Sequence, residues 1–215
     1  MYYIIMCRSI ESAILGFVNC FINLMIVLKL DNIKVKYFIP FIVNLMLVQF
    51  SNILLWTQYK DNDLKKNNIN WLSTDFVLLI LMAQPLMISY MTNSFIDEQN
   101  IKNMIYLISF FVLVQGIKRN NIFTKKYTEL EQGKCLKWVN SSKTGQNLFY
   151  IFDILPFLVA IFYTKNLNDR NIFINMSAIL TFVYIIVSKF GYWWGSEWCA
   201  YGSAITGYIS YYYMS

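Results

Sequence analysis

Long apolar stretches constrain the fold of this chain more than any other feature of its sequence. Such a stretch, about twenty residues long, can cross roughly 30 Å of hydrocarbon as a helix, because a bilayer forces the backbone to bond internally. Seven of them cover residues 10–30, 37–59, 71–92, 101–117, 146–164, 171–189 and 192–213. We therefore expect an all-α, polytopic transmembrane bundle of seven helices, forming a single transmembrane domain over residues 1–215 with no soluble domain.

The composition supports membrane insertion and indicates the main partner. Hydrophobic residues make up 57% of the chain and charged residues only 14%, which is too apolar for an ordinary soluble domain. The charges cluster between the apolar stretches, where a bilayer tolerates them. We therefore interpret the net charge of +6 as a signal of membrane orientation, and expect the lipid bilayer as partner and no nucleic acid.

The chain contains no histidine, and its four cysteines show no CxxC spacing. Metal-activated hydrolysis of the kind performed by seven-helix ceramidases needs imidazole ligands, and Ser-His or Cys-His catalysis needs an imidazole base. No lysine lies inside a predicted helix, which argues against a retinal pigment with a Schiff-base lysine in its last helix. We expect no catalytic site, no metal and no cofactor, and an enzyme ranks third among the functional classes.

Basic residues predict the orientation in the membrane. If the helices alternate in direction, one side carries 12 Lys and Arg residues, seven of them in the long loop 118–145, and the other side carries 6. The positive-inside rule then places the N-terminus and this loop in the cytoplasm and the C-terminus outside. The opposite orientation stays open, because the Asn140-Ser141-Ser142 sequon would need an external loop, where Cys7 and Cys135 could form a disulfide.

The long loop is basic and carries aromatic residues, including Phe123, Tyr127 and Trp138. Such a segment can bind anionic lipid on the cytoplasmic leaflet. The alternative is a solvated loop whose lysines only obey the topology rule.

Polar residues inside the apolar stretches are the candidate functional residues. Eight of them are too numerous to face lipid and form a candidate polar cavity: Asn19, Asn23, Asn44, Gln49, Asn52, Gln84, Asp153 and Glu197. One interpretation is the wall of a pathway for an ion, a lipid or a small solute, and the other is hydrogen bonding that holds helices together.

Two prolines and two acids give this group its chemistry. Pro85 leaves the carbonyl of Leu81 without its backbone donor, so that Gln84 or a neighbouring helix must compensate. Asp153 lies near Pro156 and is a functional candidate, unless it reaches interfacial water. Glu197 lies among three tryptophans, which are typical of the headgroup level, and is either an interfacial anchor or a second functional acid.

The last apolar stretch contains a row of small residues at every fourth position, which predicts close helix packing. The row consists of Gly191, Gly195, Cys199, Ser203 and Gly207.

Several short motifs together resemble a family of small seven-helix membrane proteins of unknown function found in large DNA viruses, bacteria and eukaryotes. The motifs are Met6-Cys7 with Ser9 and Ser12, Gln49, 72–74 leading to Gln84-Pro85, Cys135, Gly145, Pro156, and 194–199. The resemblance implies a viral or host membrane location and no reaction. Members often carry histidine near the positions of Ile80 and Gln146, so histidine chemistry does not transfer to this chain.

Two functions follow as expectations. The first is a channel, transporter or receptor-like bundle with a polar interior cavity. The second is a structural or partner-binding protein that remodels viral or host membranes and transports nothing.

Overall fold

The computed structural model describes residues 9–60, 63–119, 126–131, 135–137, 143–190 and 194–214, and within these ranges it does not describe the side chains of 119, 131, 135, 137, 143–150, 183–184, 186–190, 194–201 and 203. The helices are α1 (Ile10–Lys29), α2 (Ile33–Lys36), α3 (Ile39–Trp56), α4 (Asn68–Asn93), α5 (Gln99–Arg119), α6 (Lys143–Tyr163), α7 (Leu167–Phe190) and α8 (Trp194–Met214). The strands are β1 (Tyr59–Lys60), β2 (Asp63–Leu64), β3 (Glu129–Glu131) and β4 (Cys135–Lys137).

A helix lies at each of the seven predicted positions. In the described part of the chain, four helical segments are long and apolar enough to cross a membrane: Ile10–Lys29, Ile33–Trp56, Asn68–Asn93 and Gln99–Lys118. These four indicate a membrane protein by length and composition. The helix of the fourth predicted stretch, α5, is longer than the predicted 101–117, because it begins at Gln99 and ends at Arg119.

Local capping explains where α1 and α4 begin. Ser9 precedes α1, and its hydroxyl accepts a hydrogen bond from the backbone N–H of Ser12. Asn67 precedes α4 and accepts in the same way from the N–H of Asn70. These side chains satisfy donors that have no partner inside the helix.

Six of the long helices pack in a closed ring in the order α1, α3, α4, α6, α7, α8 and back to α1. α5 packs mainly against α4, outside this ring. Its outward face consists of exposed apolar side chains, including those of Met104, Leu107, Phe110 and Phe111. A ring of helices buries a shared interior, whereas α5 has the character of a peripheral helix.

Ion pairs show which helix ends meet. Lys34 of α2 pairs with Asp169 at the start of α7, and Asp97 after α4 pairs with Lys165 before α7. Tyr212 near the end of α8 donates to the carbonyl of Asn168 in α7 at 3.1 Å. The ends of α1, α4, α6 and α8 therefore lie together, at what we call the C-terminal end of the bundle. The opposite end, the loop end, carries the starts of these helices and the described part of the long loop.

The loop end contains two small antiparallel hairpins, which the all-α prediction did not include. β1 pairs with β2, and β3 pairs with β4 with Leu130 opposite Leu136. β2 contacts β3, and β4 contacts α8. The buried side chain of Leu136 shows that this part of the long loop packs against the protein and is not simply solvated.

Glycine contacts correct the predicted row of small residues in the last helix. A Cβ added at Gly207 would meet no atom of the described residues within 4 Å, so among these residues the predicted close packing at this position is wrong. At Gly202 an added Cβ would make ordinary van der Waals contacts, 3.5 Å from Leu45 of α3 and 3.8 Å from the sulfur of Cys20 of α1. Gly191 lies outside the described residues, as do the side chains of Cys199 and Ser203.

Candidate functional site

Asn19 and Asn23 lie one turn apart on α1 and form part of its contact with α8. The Asn23 amide donates to the backbone oxygen of Asn19 at 2.8 Å and to the hydroxyl of Thr206 at 3.4 Å. The Thr206 hydroxyl in turn donates to the carbonyl of Gly202 at 2.7 Å. These bonds tie α1 to α8, as expected if these asparagines hold helices together.

The polar residues of α3 do not share one neighbouring helix. Asn44 is buried, and its amide donates to the carbonyl of Ile80 in α4 at 3.0 Å. Gln49 is fully buried against Gly16 of α1, where an added Cβ would lie 3.1 Å from the glutamine side chain. Asn52 is also fully buried, close to the loop end of α3. The candidate residues of α1 and α3 are therefore distributed over several helix contacts.

Gln84 lies within α4, immediately before Pro85, and its side chain is fully buried. Among the described residues, neither the amide nitrogen nor the amide oxygen of Gln84 has a hydrogen-bond partner. Gln84 therefore does not compensate the carbonyl freed by Pro85. The nearest polar support comes from Asn44, whose bond to Ile80 lies one residue before Leu81.

Asp153 lies at the middle of α6, with ten residues of the helix on each side. Its side chain is only 2% exposed, and its Oδ1 atom has no hydrogen-bond partner among the described residues. The ion pairs of the described chain involve Asp97, Glu129 and Asp169 and leave Asp153 out. Ten residues of helix correspond to about 15 Å, so Asp153 lies about 15 Å from either end of α6.

Gln84 and Asp153 lie at the same depth. Gln84 is nine residues before the end of α4, and Asp153 is ten residues before the end of α6. Both helices end at the C-terminal end of the bundle and pack against each other. At a rise of about 1.5 Å per residue, both side chains lie about 14–15 Å below that end, which is about half the thickness of a hydrocarbon core.

Ser177 of α7 belongs to the same depth. It lies ten residues after the start of α7, it is buried, and its hydroxyl has no hydrogen-bond partner among the described residues. α7 packs against α6. We call Gln84, Asp153 and Ser177 the mid-bundle level. Together they offer a carboxylate, an amide and a hydroxyl, on three consecutive helices of the ring.

A row of aromatic rings leads from Asp153 to the C-terminal end. Phe157 lies one turn after Asp153, on the same face of α6. Its ring centroid is 6.4 Å from that of Phe173 in α7, which is 5.1 Å from that of Phe95 after α4. The ammonium group of Lys34 lies 5.8 Å from the centroid of Phe95. We call Phe157, Phe173 and Phe95 the aromatic row.

A different polar cluster lies at the loop end, where Asn70, Thr74 and Thr128 are all fully buried. The Asn70 amide nitrogen donates to the carbonyl of Thr128 at 3.1 Å, and its oxygen accepts from the N–H of Thr128 at 2.9 Å. The hydroxyls of Thr74 and Thr128 are 2.8 Å apart. These three residues, which we call the docking cluster, attach the long loop to α4 through mutual hydrogen bonds.

An exposed ion pair lies beside the docking cluster. Lys66 donates to Glu129 of β3 at 2.8 Å, and this bond to the carboxylate raises the pKa of Lys66. Both side chains are more than half exposed. Solvent screens such pairs, so Lys66 adds little to the attachment of the loop.

Three predictions fall on parts that the structure does not describe. Glu197 lies in α8, but its side chain is outside the described set, as is that of Gln146. Cys7 lies outside the described residues, and Cys135 is described only as backbone, in β4. The second functional acid and the Cys7–Cys135 disulfide therefore stay predictions.

The sequence interpretation missed the docking cluster, Ser177 and the aromatic row. Asn70 and Thr74 carried a usable signal, because they are polar residues one turn apart at the start of an apolar helix. Thr128 and Ser177 carried none, since their roles depend on helices distant in sequence.

Neither protein-family models, nor curated proteins, nor solved structures contain a match to this chain. The resemblance to small seven-helix membrane proteins therefore stays a prediction that rests on the motifs quoted above.

Proposed function

We propose that this chain is a multi-pass membrane protein with seven spans, whose helix ring binds a small polar solute at the mid-bundle level. In this proposal it acts as a channel, a transporter or a receptor-like bundle. The observation that carries the proposal is the pair Gln84 and Asp153, which are buried at one depth without hydrogen-bond partners among the described residues.

The energetics of burial support this proposal. Leaving a buried polar group unpaired costs about 1–3 kcal/mol, and more for a charged group. Selection for stability alone would favour apolar residues at such positions, whereas a site that binds solute keeps polar groups ready for it. The packing order supports the same reading, because Gln84, Asp153 and Ser177 lie on three consecutive helices of the ring.

The rival proposal is a structural or partner-binding membrane protein, for example one that remodels viral or host membranes. The hydrogen bonds that join helices favour it: Asn23 to Thr206, Asn44 to Ile80, and the 2.6 Å contact between the hydroxyls of Ser89 and Ser109. In this case the polar groups only hold the bundle together.

Solute flux in proteoliposomes distinguishes the two. The full-length protein is reconstituted and tested with small cations, anions and neutral solutes, beside the variants Asp153→Asn and Asp75→Asn. Asp75 is the matched control, because it is also a buried acid of the bundle but lies near the loop end of α4. The proposal is supported if the protein carries a solute flux that is lost in Asp153→Asn and kept in Asp75→Asn. Absence of flux for every solute favours the structural rival.

The orientation is a further part of the proposal. The two groups of basic residues belong to opposite ends of an up-and-down bundle, so the positive-inside rule favours a cytoplasmic loop end and an external C-terminus. Mass analysis with and without glycosidase tests this orientation. A glycan on Asn140 would reverse it and would make a Cys7–Cys135 disulfide the expected result.

Contact of the loop end with anionic lipid is also proposed, through Lys118 at the start of the basic loop and two lysines of the connection between α3 and α4. Lys66 is engaged by Glu129, whereas Lys60, Lys65 and Lys118 are exposed at the loop end and unoccupied by any ion pair in the described chain. These three lysines would face headgroups of the cytoplasmic leaflet. The test is the efficiency of reconstitution into vesicles with and without phosphatidylserine, at low and at high salt. Equal efficiency in all four conditions would contradict a contribution of anionic lipid to membrane binding.

A further inference from the structure

We infer that the solute bound at the mid-bundle level is a small ammonium-type cation, such as ammonium or a short alkylammonium, which reaches Asp153 from the C-terminal end along the aromatic row. This inference rests on the proposed function and specifies the substrate class and the route.

The charge of the site selects a cation. Asp153 is the acid at this depth, and no ion pair of the described chain neutralises it. The other polar groups of the level can all accept hydrogen bonds, through the amide oxygen of Gln84 and the hydroxyl of Ser177. A cation with N–H donors would donate to these acceptors, and its positive charge would balance the negative charge of the Asp153 carboxylate.

The number of acidic groups argues for a single positive charge. Divalent cations such as Ca²⁺ take six to eight oxygen ligands, usually with several carboxylates. In the described part of the chain, no three acidic or cysteine side chains come together. One carboxylate among neutral oxygens matches a monovalent ligand.

The aromatic row favours an ammonium group over a strongly hydrated metal ion. Faces of aromatic rings attract ammonium groups, and aromatic cages are a common way to bind them. Phe157 lies one turn from Asp153, and Phe173 and Phe95 continue the row at centroid distances of 6.4 and 5.1 Å. The site thus combines a carboxylate with neighbouring aromatic rings.

Lys34 indicates the side of entry. Its ammonium group already lies 5.8 Å from the ring of Phe95 and pairs with Asp169 at the C-terminal end. The outer ring of the row therefore accommodates an ammonium group in this structure. A solute of the same chemistry would replace Lys34 at Phe95 and continue past Phe173 to Asp153.

Thermal unfolding of the purified full-length protein in detergent tests the inference. The probes are methylammonium chloride, sodium chloride, potassium chloride and urea at matched concentrations. We expect methylammonium to raise the unfolding midpoint most, and at 100 times its Kd to stabilise by about 2.7 kcal/mol. Asp153→Asn should abolish this shift, and Phe173→Leu should weaken binding about fivefold to tenfold. Phe41→Leu is the control, because Phe41 is fully buried in α3 outside the aromatic row.

The outcomes separate the two proposals. A shift with methylammonium that depends on Asp153 and Phe173 but not on Phe41 supports the inference. A shift that depends on Asp153 but is produced only by sodium, potassium or urea overturns the substrate class and leaves the proposed function standing. No shift with any probe, together with no flux in proteoliposomes, overturns both.

Discussion

The docking cluster and the mid-bundle level are both buried and polar, and they differ in one respect. In the docking cluster, Asn70 and Thr128 satisfy each other through short hydrogen bonds. At the mid-bundle level, Gln84 and Asp153 are just as buried and have unpaired polar atoms among the described residues. The polar groups of the docking cluster are satisfied within the protein, whereas those of the mid-bundle level would need a further molecule to satisfy them.

The difference teaches how to separate structural from functional polar groups in a membrane bundle. A polar residue that holds elements together finds its partner within the protein, and removing it costs stability. A polar residue kept for a solute is destabilising until the solute arrives, and removing it costs function. The same type of substitution should therefore have opposite effects in the two regions.

The largest expected effect is in the docking cluster. Asn70→Ala removes a side chain that bonds the backbone of Thr128 in both directions. It leaves the buried Thr128 carbonyl without this donor, whereas the Thr128 N–H keeps its bond to the hydroxyl of Thr74. We expect the free energy of unfolding to fall by about 2–3 kcal/mol, measured by denaturant titration in detergent. Asn68→Ala is the control, because Asn68 is exposed and only accepts a bond from the Trp71 indole. Equal losses for the two variants would contradict the role of the cluster.

The second prediction has the opposite sign. Gln84→Leu replaces a buried amide without hydrogen bonds by an apolar side chain of similar size. We expect the free energy of unfolding to rise by about 1 kcal/mol while binding of the solute is lost. Asn44→Leu provides the comparison, since it removes a real bond to Ile80 and should destabilise. If Gln84→Leu destabilises as much as Asn44→Leu, the mid-bundle level is structural.

A third prediction concerns a satisfied polar pair on the same helix as Gln84. The hydroxyls of Ser89 and Ser109 lie 2.6 Å apart between α4 and α5. Ser89→Ala should cost about 0.6 kcal/mol, the average for such bonds between membrane helices. A double-mutant cycle with Ser109→Ala measures the coupling directly, and an additive result would show that the pair contributes nothing.

The smallest effect is expected for the exposed pair of Lys66 and Glu129. Because the pKa of Lys66 is raised in the folded protein, its contribution is present below the unfolded pKa of about 10.4 and is lost as pH rises through the higher folded pKa. Lys66→Met should leave the unfolding midpoint unchanged at pH 7 and high salt. A clear destabilisation there would mean that the pair, and not the docking cluster, holds the loop.

The sequence predicted the helices well and their polar contacts poorly. Each apolar stretch became a helix, because length and hydrophobicity act locally along the chain. The roles of Gln84 and Asp153 depended on depth and burial, which emerge only when α4 and α6 pack together. The prediction for Gly207 was wrong for a related reason. A regular row of small residues allows another helix to pack closely against α8, but it does not predict at which residue a neighbouring helix does so. The seven spans, the orientation and the eight-residue cavity stay predictions.

Water accessibility of the mid-bundle level tests the central claim most directly. Ser177→Cys is a conservative change that keeps Asp153 and Gln84, and Ala13→Cys is the matched control, because Ala13 is fully buried on α1, which carries no residue of the mid-bundle level. Both are placed in a chain whose four natural cysteines are replaced and are treated in membranes with a small water-soluble methanethiosulfonate. We expect Ser177→Cys to react, more slowly when methylammonium is present, and Ala13→Cys to stay unmodified. If both positions are unreactive, the interior is dry and the polar groups at the mid-bundle level do not form a solute site.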